Sequence, residues 1–167
     1  QMSSCRSSNE CNPVGIITKN ALITRELDLL RDLAVLKLVM VTISVTSLDD
    51  ELLRVMEPRT SGPRKRLAAI NELSAHGVPV TVLVAPVIPG LTDVEIPSIL
   101  KESAAHGARF AEYTMLRLPG PVEPLFLDWL ARELPDRSSK IINQVKAIGG
   151  GTLSETRFGK RMKGNGE

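Results

Sequence analysis

Several features are scarce in this chain, and each scarcity narrows the reading. There are only two cysteines, Cys5 and Cys11, in 167 residues. Two thiols in a chain of this size do not make a disulfide framework. There is no C-x-x-C and no histidine near them to complete a zinc site. A reducing, cytoplasmic setting with free thiols is the expectation. No apolar run approaches the ~20 residues that a membrane helix needs, so no membrane partner is expected. The N-terminus, QMSSCRSSNECNP, is polar and lacks the apolar core of a signal peptide. Net charge is only +2, which excludes the global basic field of a histone-type binder. No Ser-His-Asp set and no close carboxylate pair is evident, so no catalytic residue is assigned in this chain and no metal ligands are expected.

What is present is a sizeable apolar fraction, 43%, enough for a packed core rather than a disordered chain. Four apolar, β-rich runs stand out: Val14–Lys19, Leu38–Thr46, Pro79–Ile88 and Phe110–Leu118. Each is followed by helical periodicity. Leu27, Leu30, Leu33 and Ala34 follow the first. Ser47 and Asp50 open a helix carrying Leu52, Leu53 and Met56 after the second. Another helix opens at Pro63, which suits a first turn, and carries Leu67, Ile70 and Leu73 on one face until Gly77. Thr92 and Glu95 have capping-box spacing ahead of Ile99, Leu100 and Ala104, and Gly107 ends that helix. Ser74-Ala-His-Gly77 and Ala104-Ala-His-Gly107 echo each other across about thirty residues, the size of a βαβ unit. Leu125, Phe126, Trp129 and Leu130, then Ile141, Ile142, Val145 and Ile148, mark two last helices before Gly149-Gly-Gly151.

Strand–helix alternation without hairpin signals predicts a parallel sheet of β/α units. Both a doubly wound sheet and a barrel satisfy this pattern. The absence of G-x-G-x-x-G after the first strand weakens the dinucleotide fold. Four units are half of an eight-fold barrel. The expected organisation is a disordered lead-in over 1–11, a partial TIM-like β/α barrel over 12–148, and a Gly-rich basic tail over 149–167.

In such folds the active surface lies at the C-terminal strand ends. Lys19 and Asn20 end the first strand, where a lysine either holds an anion or snorkels to the rim. In the second strand Val41, Ile43 and Val45 alternate with Thr42, Ser44 and Thr46. An unpaired buried hydroxyl costs ~1–3 kcal/mol. The hydroxyl row therefore faces a wet lumen or ligand, or bonds to neighbouring backbone. Pro86, Pro89 and Gly90 exceed what a plain turn requires. Gly90 permits close backbone approach, the helix near Thr92 aims its free N–H groups at the same place, and Ile88 offers an apolar surface to a flat base. Arg59, in Glu57-Pro-Arg59, is either a surface arginine or a reach across the strand ends to an acid or phosphate. Of Glu112 and Tyr113 only one faces the lumen; Leu116 and Leu118 share the Glu112 face and help close an apolar pocket. His76 and His106 are expected to meet free helix carbonyls. Arg64-Lys-Arg66 and the tail residues Arg157, Lys160, Arg161 and Lys163 read as solvated charge or as mild attraction to phosphate.

Several blocks resemble a known family: Asn12-Pro-Val-Gly-Ile-Ile-Thr-Lys-Asn20, Ile43-Ser-Val-Thr46, Glu57-Pro-Arg59 with Arg66-Leu-Ala-Ala-Ile70, Ala85-Pro-Val-Ile-Pro-Gly-Leu-Thr-Asp93, Tyr113-Thr-Met-Leu-Arg-Leu-Pro-Gly120 and Arg157-Phe-Gly-Lys-Arg-Met-Lys163. They are colinear and resemble the radical S-adenosylmethionine (SAM) proteins related to spore photoproduct lyase, often described as DNA repair photolyases. The resemblance implies a six-unit partial barrel that binds SAM. A C-x3-C-x2-C loop in the family holds a [4Fe–4S] cluster through three thiolates. Reduction of the cofactor there yields a 5′-deoxyadenosyl radical. Carried onto matching positions, Lys19 would hold the cofactor carboxylate and Ser44 its amino-acid or ribose part, with Asn20 and Thr46 beside them. Residues 86–93 would match the adenine-binding G-x-I-x-G-x-x-E segment: Ile88 and Gly90 agree, while Pro86 and Asp93 depart from it. Leu116 and Leu118 would flank the ring, and Arg59 and Arg117 would meet substrate or phosphate.

Cys5 and Cys11 cannot supply C-x3-C-x2-C. The expectation is a C-terminal fragment, inactive alone, whose cluster belongs to a longer chain. Two other readings compete with it. One is a non-catalytic DNA- or protein-binding domain using Arg59, Arg64–Arg66 and the basic tail. The other is an unrelated metabolic β/α enzyme acting on a phosphorylated or carboxylated small molecule. An unpaired sheet edge at the first strand also predicts homo-oligomers.

Overall fold

The computed structural model describes residues 12–149 and residue 153. The expected lead-in, both cysteines and nearly all of the basic tail lie outside the described residues. The elements run β1 (Val14–Thr18), a 3-10 helix (Ala21–Glu26), α1 (Leu27–Val35), β2 (Val39–Ser44), α2 (Asp50–Met56), α3 (Pro63–Ala75), β3 (Val80–Val87), a 3-10 turn (Asp93–Glu95), α4 (Ile96–Ala105), β4 (Phe110–Met115), α5 (Val122–Glu133) and α6 (Pro135–Ile148). The strands form one parallel sheet in the order β1-β2-β3-β4. β2, β3 and β4 each follow a helix, as the alternation requires. The fold is thus α/β with four parallel strands, consistent with a partial TIM-like barrel. Among the described residues no helix is long and apolar enough to cross a membrane.

The described residues fall into two compact units: 12–84 with 97–112, and 85–96 with 113–149. In the first unit the strand register explains the core. Val41 lies opposite Ile16 on one side and Val80 on the other, and Ile43 opposite Thr18 and Val82. These rows bury Val41, Ile43, Val80 and Val82 almost completely, together with Leu67, Ile70 and Leu73 of α3. Each such side chain is worth ~1.5–3 kcal/mol of burial. The other face carries Thr42, Thr81 and Ser44, all buried, but it is open at β1, where Ile17 is 69% exposed.

Three helices of this unit stop in the same way before the next strand. After α3, Gly77 N–H donates to the Ser74 carbonyl and Val78 N–H to Leu73; after α4, Gly107 donates to Ala104 and Ala108 to Ser103. This pair of bonds satisfies helix-end carbonyls and needs a left-handed residue at its centre. Gly77 and Gly107 have φ of 78° and 99°, and after α1 the position is held by Lys37 at φ 57°. His76 and His106 set Nδ1 at 2.8 and 2.7 Å from the carbonyls of Glu72 and Glu102 one turn back. The two repeats also touch: Ser74 Oγ donates to the Gly107 carbonyl at 3.1 Å.

In the second unit Leu116 N–H donates to the Val87 carbonyl at 2.9 Å, continuing the sheet. Leu130, Ile141 and Val145 of α5 and α6 are buried, and Phe126 stacks on Trp129 with ring centroids 5.9 Å apart.

Candidate functional site

In the first unit the strand ends carry a buried charge cluster. After β2 the chain runs through buried Thr46 and Ser47, whose Oγ accepts from Asp49 N–H at 2.9 Å. Asp49, not Ser47 or Asp50, caps α2, accepting from the N–H groups of Glu51 and Leu52. The short α2 ends at Glu57, whose side chain is 8% exposed. Its Oε1 accepts from Lys19 Nζ and, at 2.9 Å, from Thr46 Oγ1; its Oε2 accepts from Arg66 Nη2 at 2.6 Å.

Arg66 is fully buried and its guanidinium is used throughout. Nε donates to the Ser61 carbonyl at 2.6 Å, Nη1 to the Ser44 carbonyl at 2.9 Å, and Nη2 also to Thr60 Oγ1. A second set of bonds holds the same loop to the end of β1. Ser61 N–H donates to the Lys19 carbonyl at 3.3 Å, and Ser61 Oγ donates to Asn20 Oδ1 at 3.0 Å while accepting from Ala21 N–H. Asn20 Oδ1 also accepts from Leu22 N–H, capping the 3-10 helix.

Burial by itself would raise the Glu57 carboxyl's pKa. Hydrogen bonds from Lys19 and Arg66, with their charges, outweigh it and hold the carboxyl below its ordinary value. Two cations against one carboxylate leave the cluster with one positive charge in excess. Arg66 is sealed, whereas the Lys19 side chain is 36% exposed. An ammonium has three donors, and among the described residues only Glu57 takes one. The excess charge and the free donors therefore coincide at Lys19. Ser44 is 2% exposed, and its hydroxyl has no partner among the described residues. Chemically the arrangement suits an anion at Lys19 and a polar group at Ser44.

Arg66 corrects the reading of Arg64-Lys-Arg66 as one solvated or phosphate-facing run. Arg64 and Lys65 are exposed, but Arg66 points inward. The signal was in the helix period: Arg66, Ile70 and Leu73 stand at four- and three-residue spacing on the buried face. Glu57 was likewise passed over in favour of Arg59, which is exposed and pairs with no acid among the described residues. The row of hydroxyls divides: Thr46, just past β2, donates to a carboxylate, while the Ser44 hydroxyl has no partner among the described residues. A groove of about 170 Å³ lies beside the cluster, lined by Asp50, Arg54, Glu57 and Ser61 among others.

The second unit treats its expected residues differently. Ile88 is 2% exposed, so its side chain fills the core and presents no flat surface. Its N–H donates to Thr92 Oγ1 at 2.9 Å, and that hydroxyl lies 3.4 Å from the Pro86 carbonyl. Thr92 thus bonds inside its own loop and makes no capping box with Glu95; a 3-10 turn precedes α4 instead. Gly90, at φ +77°, uses its freedom against α6. A Cβ there would fall 1.9 Å from Gln144 Oε1. Its carbonyl accepts from Arg137 at 3.2 Å, and its N–H donates to Asp93 Oδ1 at 3.0 Å. Leu118 is buried, Leu116 half-buried and Arg117 exposed. Glu112 and Tyr113 are both exposed, so neither is selected as the inward-facing residue of β4.

Comparison with known proteins agrees with this architecture. A family model for the Radical SAM superfamily matches residues 7–102. An uncharacterized protein of Mycobacterium tuberculosis is 38% identical over 130 residues, covering 77% of this chain and 38% of the relative. One from Mycobacterium bovis matches equally. An uncharacterized protein of Methanocaldococcus jannaschii is 28% identical over 132 residues, covering 79% of this chain and 48% of the relative. The chain therefore spans less than half the length of these relatives.

The superfamily in general uses SAM with a [4Fe–4S] cluster. The residues of this chain do not fit the cluster. Among the described residues no group of three or more His, Cys, Asp or Glu is placed to hold a metal ion, and two cysteines cannot provide three thiolates. They do suit the cofactor's amino-acid end, where Lys19 has spare donors and Ser44 a free hydroxyl. With the family model matching more than half of its length, on a sheet of four parallel β/α units, the chain belongs to the Radical SAM superfamily.

Proposed function

We propose that this chain is the cofactor-binding portion of a radical SAM lyase-like protein of the spore photoproduct lyase-related group. It binds SAM at the C-terminal strand ends and does no radical chemistry alone. Lys19 holds the cofactor carboxylate and Ser44 its amino-acid or ribose part, with Asn20 and Thr46 shaping the strand ends. The observation that carries this reading is the excess positive charge of the Lys19–Glu57–Arg66 cluster, placed on the one member that reaches solvent. The adenine side, assigned to Ile88, Gly90, Leu116 and Leu118, rests on the resemblance. Ile88 is buried, so its contribution there is backbone.

The test is a SAM titration of this chain beside a longer version carrying a cysteine triad. Weak, millimolar binding is expected of the chain, with tight binding and iron both gained in the longer protein. A longer gene product with no triad would remove the catalytic part of the proposal. Arg59 and Arg117, both exposed, are the proposed contacts to substrate or phosphate. A DNA-binding alternative retains Arg59, Arg64, Lys65 and the basic tail but not Arg66, which is buried. Salt-dependent binding of duplex DNA by this chain is its signature. The partly exposed β1, with Val14 at 45% and Ile17 at 69%, supports association of copies through the sheet edge. Light scattering showing only monomer would refute that association.

A further inference from the structure

We propose that Glu57 and Arg66 form a positioning frame for the cofactor's amino-acid end. On this account Glu57 fixes Lys19 through a direct ion pair, and Arg66 fixes the β2 end that carries Ser44. The inference rests on the proposed SAM reading and assigns it two residues that neither the resemblance nor the sequence pattern placed in the site.

The geometry carries the argument. A lysine side chain is a flexible four-carbon stem, and unrestrained it would hold a carboxylate only at the cost of ordering that stem. Glu57 Oε1 removes the freedom beforehand. That oxygen is itself held by Thr46 Oγ1, and the other oxygen by Arg66. Arg66 in turn donates to the Ser44 carbonyl, so the same guanidinium sets the backbone from which the free Ser44 hydroxyl projects. Both assigned contacts thus hang from one buried carboxylate–guanidinium pair. The pair consumes only one of the three Lys19 donors, so holding the lysine does not exhaust it.

A purely structural ion pair would support every ligand alike. A positioning frame supports only ligands that carry the carboxylate. The experiment therefore compares SAM with 5′-methylthioadenosine, which keeps the nucleoside and lacks the amino-acid part. Both are titrated at millimolar concentration into the full chain and followed by amide NMR shifts. Lys19→Met and Glu57→Gln should each weaken SAM about tenfold, the effect of losing one charge-assisted contact, and leave methylthioadenosine unchanged. Thr46→Val keeps the Glu57 charge and removes the hydroxyl that donates to Oε1. It should weaken SAM by a smaller factor in the same selective way, and it decides the matter if Glu57→Gln does not fold.

If Lys19→Met weakens SAM while Glu57→Gln and Thr46→Val do not, the frame is wrong and the SAM reading stands. Equal weakening of both ligands by Glu57→Gln makes the pair merely structural and also overturns the frame. If Lys19→Met leaves SAM binding intact, the frame fails together with the Lys19 assignment. If the unaltered chain binds no SAM at all, the proposed function itself fails and the inference goes with it.

Discussion

The two units hold their strand-end loops by opposite means. In the first, the loop after α2 is held by charge: Glu57 lies between Lys19 and Arg66. In the second, the loop after β3 is held by neutral bonds, by the Asp93 carboxylate on Gly90 N–H, and by a missing side chain that lets α6 come near. The difference shows in what is left over. The loop after β3 spends its polar groups on itself and on α6, Thr92 on Ile88, Asp93 on Gly90 N–H and the Gly90 carbonyl on Arg137. The charged loop ends with one cation partly exposed and one hydroxyl free. An internally satisfied loop gives shape; a charged one with a surplus also gives a place for a ligand.

The contrast can be broken from either side. The largest effect is expected from Arg66→Met, which leaves Glu57 Oε2 without its buried cation and removes partners from the Ser44 and Ser61 carbonyls. Loss of one member of a buried pair costs about 3–5 kcal/mol, measurable by urea unfolding. Gly90→Ala should cost about 2 kcal/mol, combining left-handed strain with displacement of Gln144. Adding Gln144→Ala should recover the steric part and leave the conformational part, with hydrogen exchange in α6 as the readout. Lys37→Gly should stabilise by about 1 kcal/mol, since it places glycine where α3 and α4 already have it.

Acid sharpens the comparison further. The Glu57 carboxyl is depressed in the folded state, so its contribution is complete above the ordinary value of 4.5 and is lost as pH falls through its lower folded value. Thermal melts should show that loss in the unaltered chain and a flatter profile in Glu57→Gln. The smallest effect belongs to Arg59→Ala, within about 0.5 kcal/mol of no change, as for an exposed side chain away from structural features.

Much of the fold was legible. Alternation located all four strands to within a few residues, Pro63 marked the start of α3, and Gly77 and Gly107 marked two helix ends. These features depend on neighbours in the chain. The site was legible only in part, because its logic is long-range. Arg66 looks like one of three surface cations until Ser44, twenty-two residues earlier, and Glu57 are known to surround it. Ile88 looked available because its loop is rich in proline and glycine, yet its side chain fills the core. Thr92 and Glu95 have the spacing of a capping box, but the Pro89-Gly90 turn brings Thr92 Oγ1 to Ile88 N–H first.

Arg66 also has a thermodynamic consequence. It closes contacts to residues 44, 57, 60 and 61, and Glu57 extends them to Lys19. No short stretch of the chain holds these groups together, so the arrangement around Lys19 exists only while the first unit is folded. Ligand affinity and unfolding free energy are then linked quantities. Any anion that engaged Lys19 would add stability that grows with the logarithm of its excess over its dissociation constant, about 2.7 kcal/mol at a hundredfold excess, and the melting temperature would rise with it. The melting curve is in that sense a binding isotherm for this site, readable before any chemistry has been found.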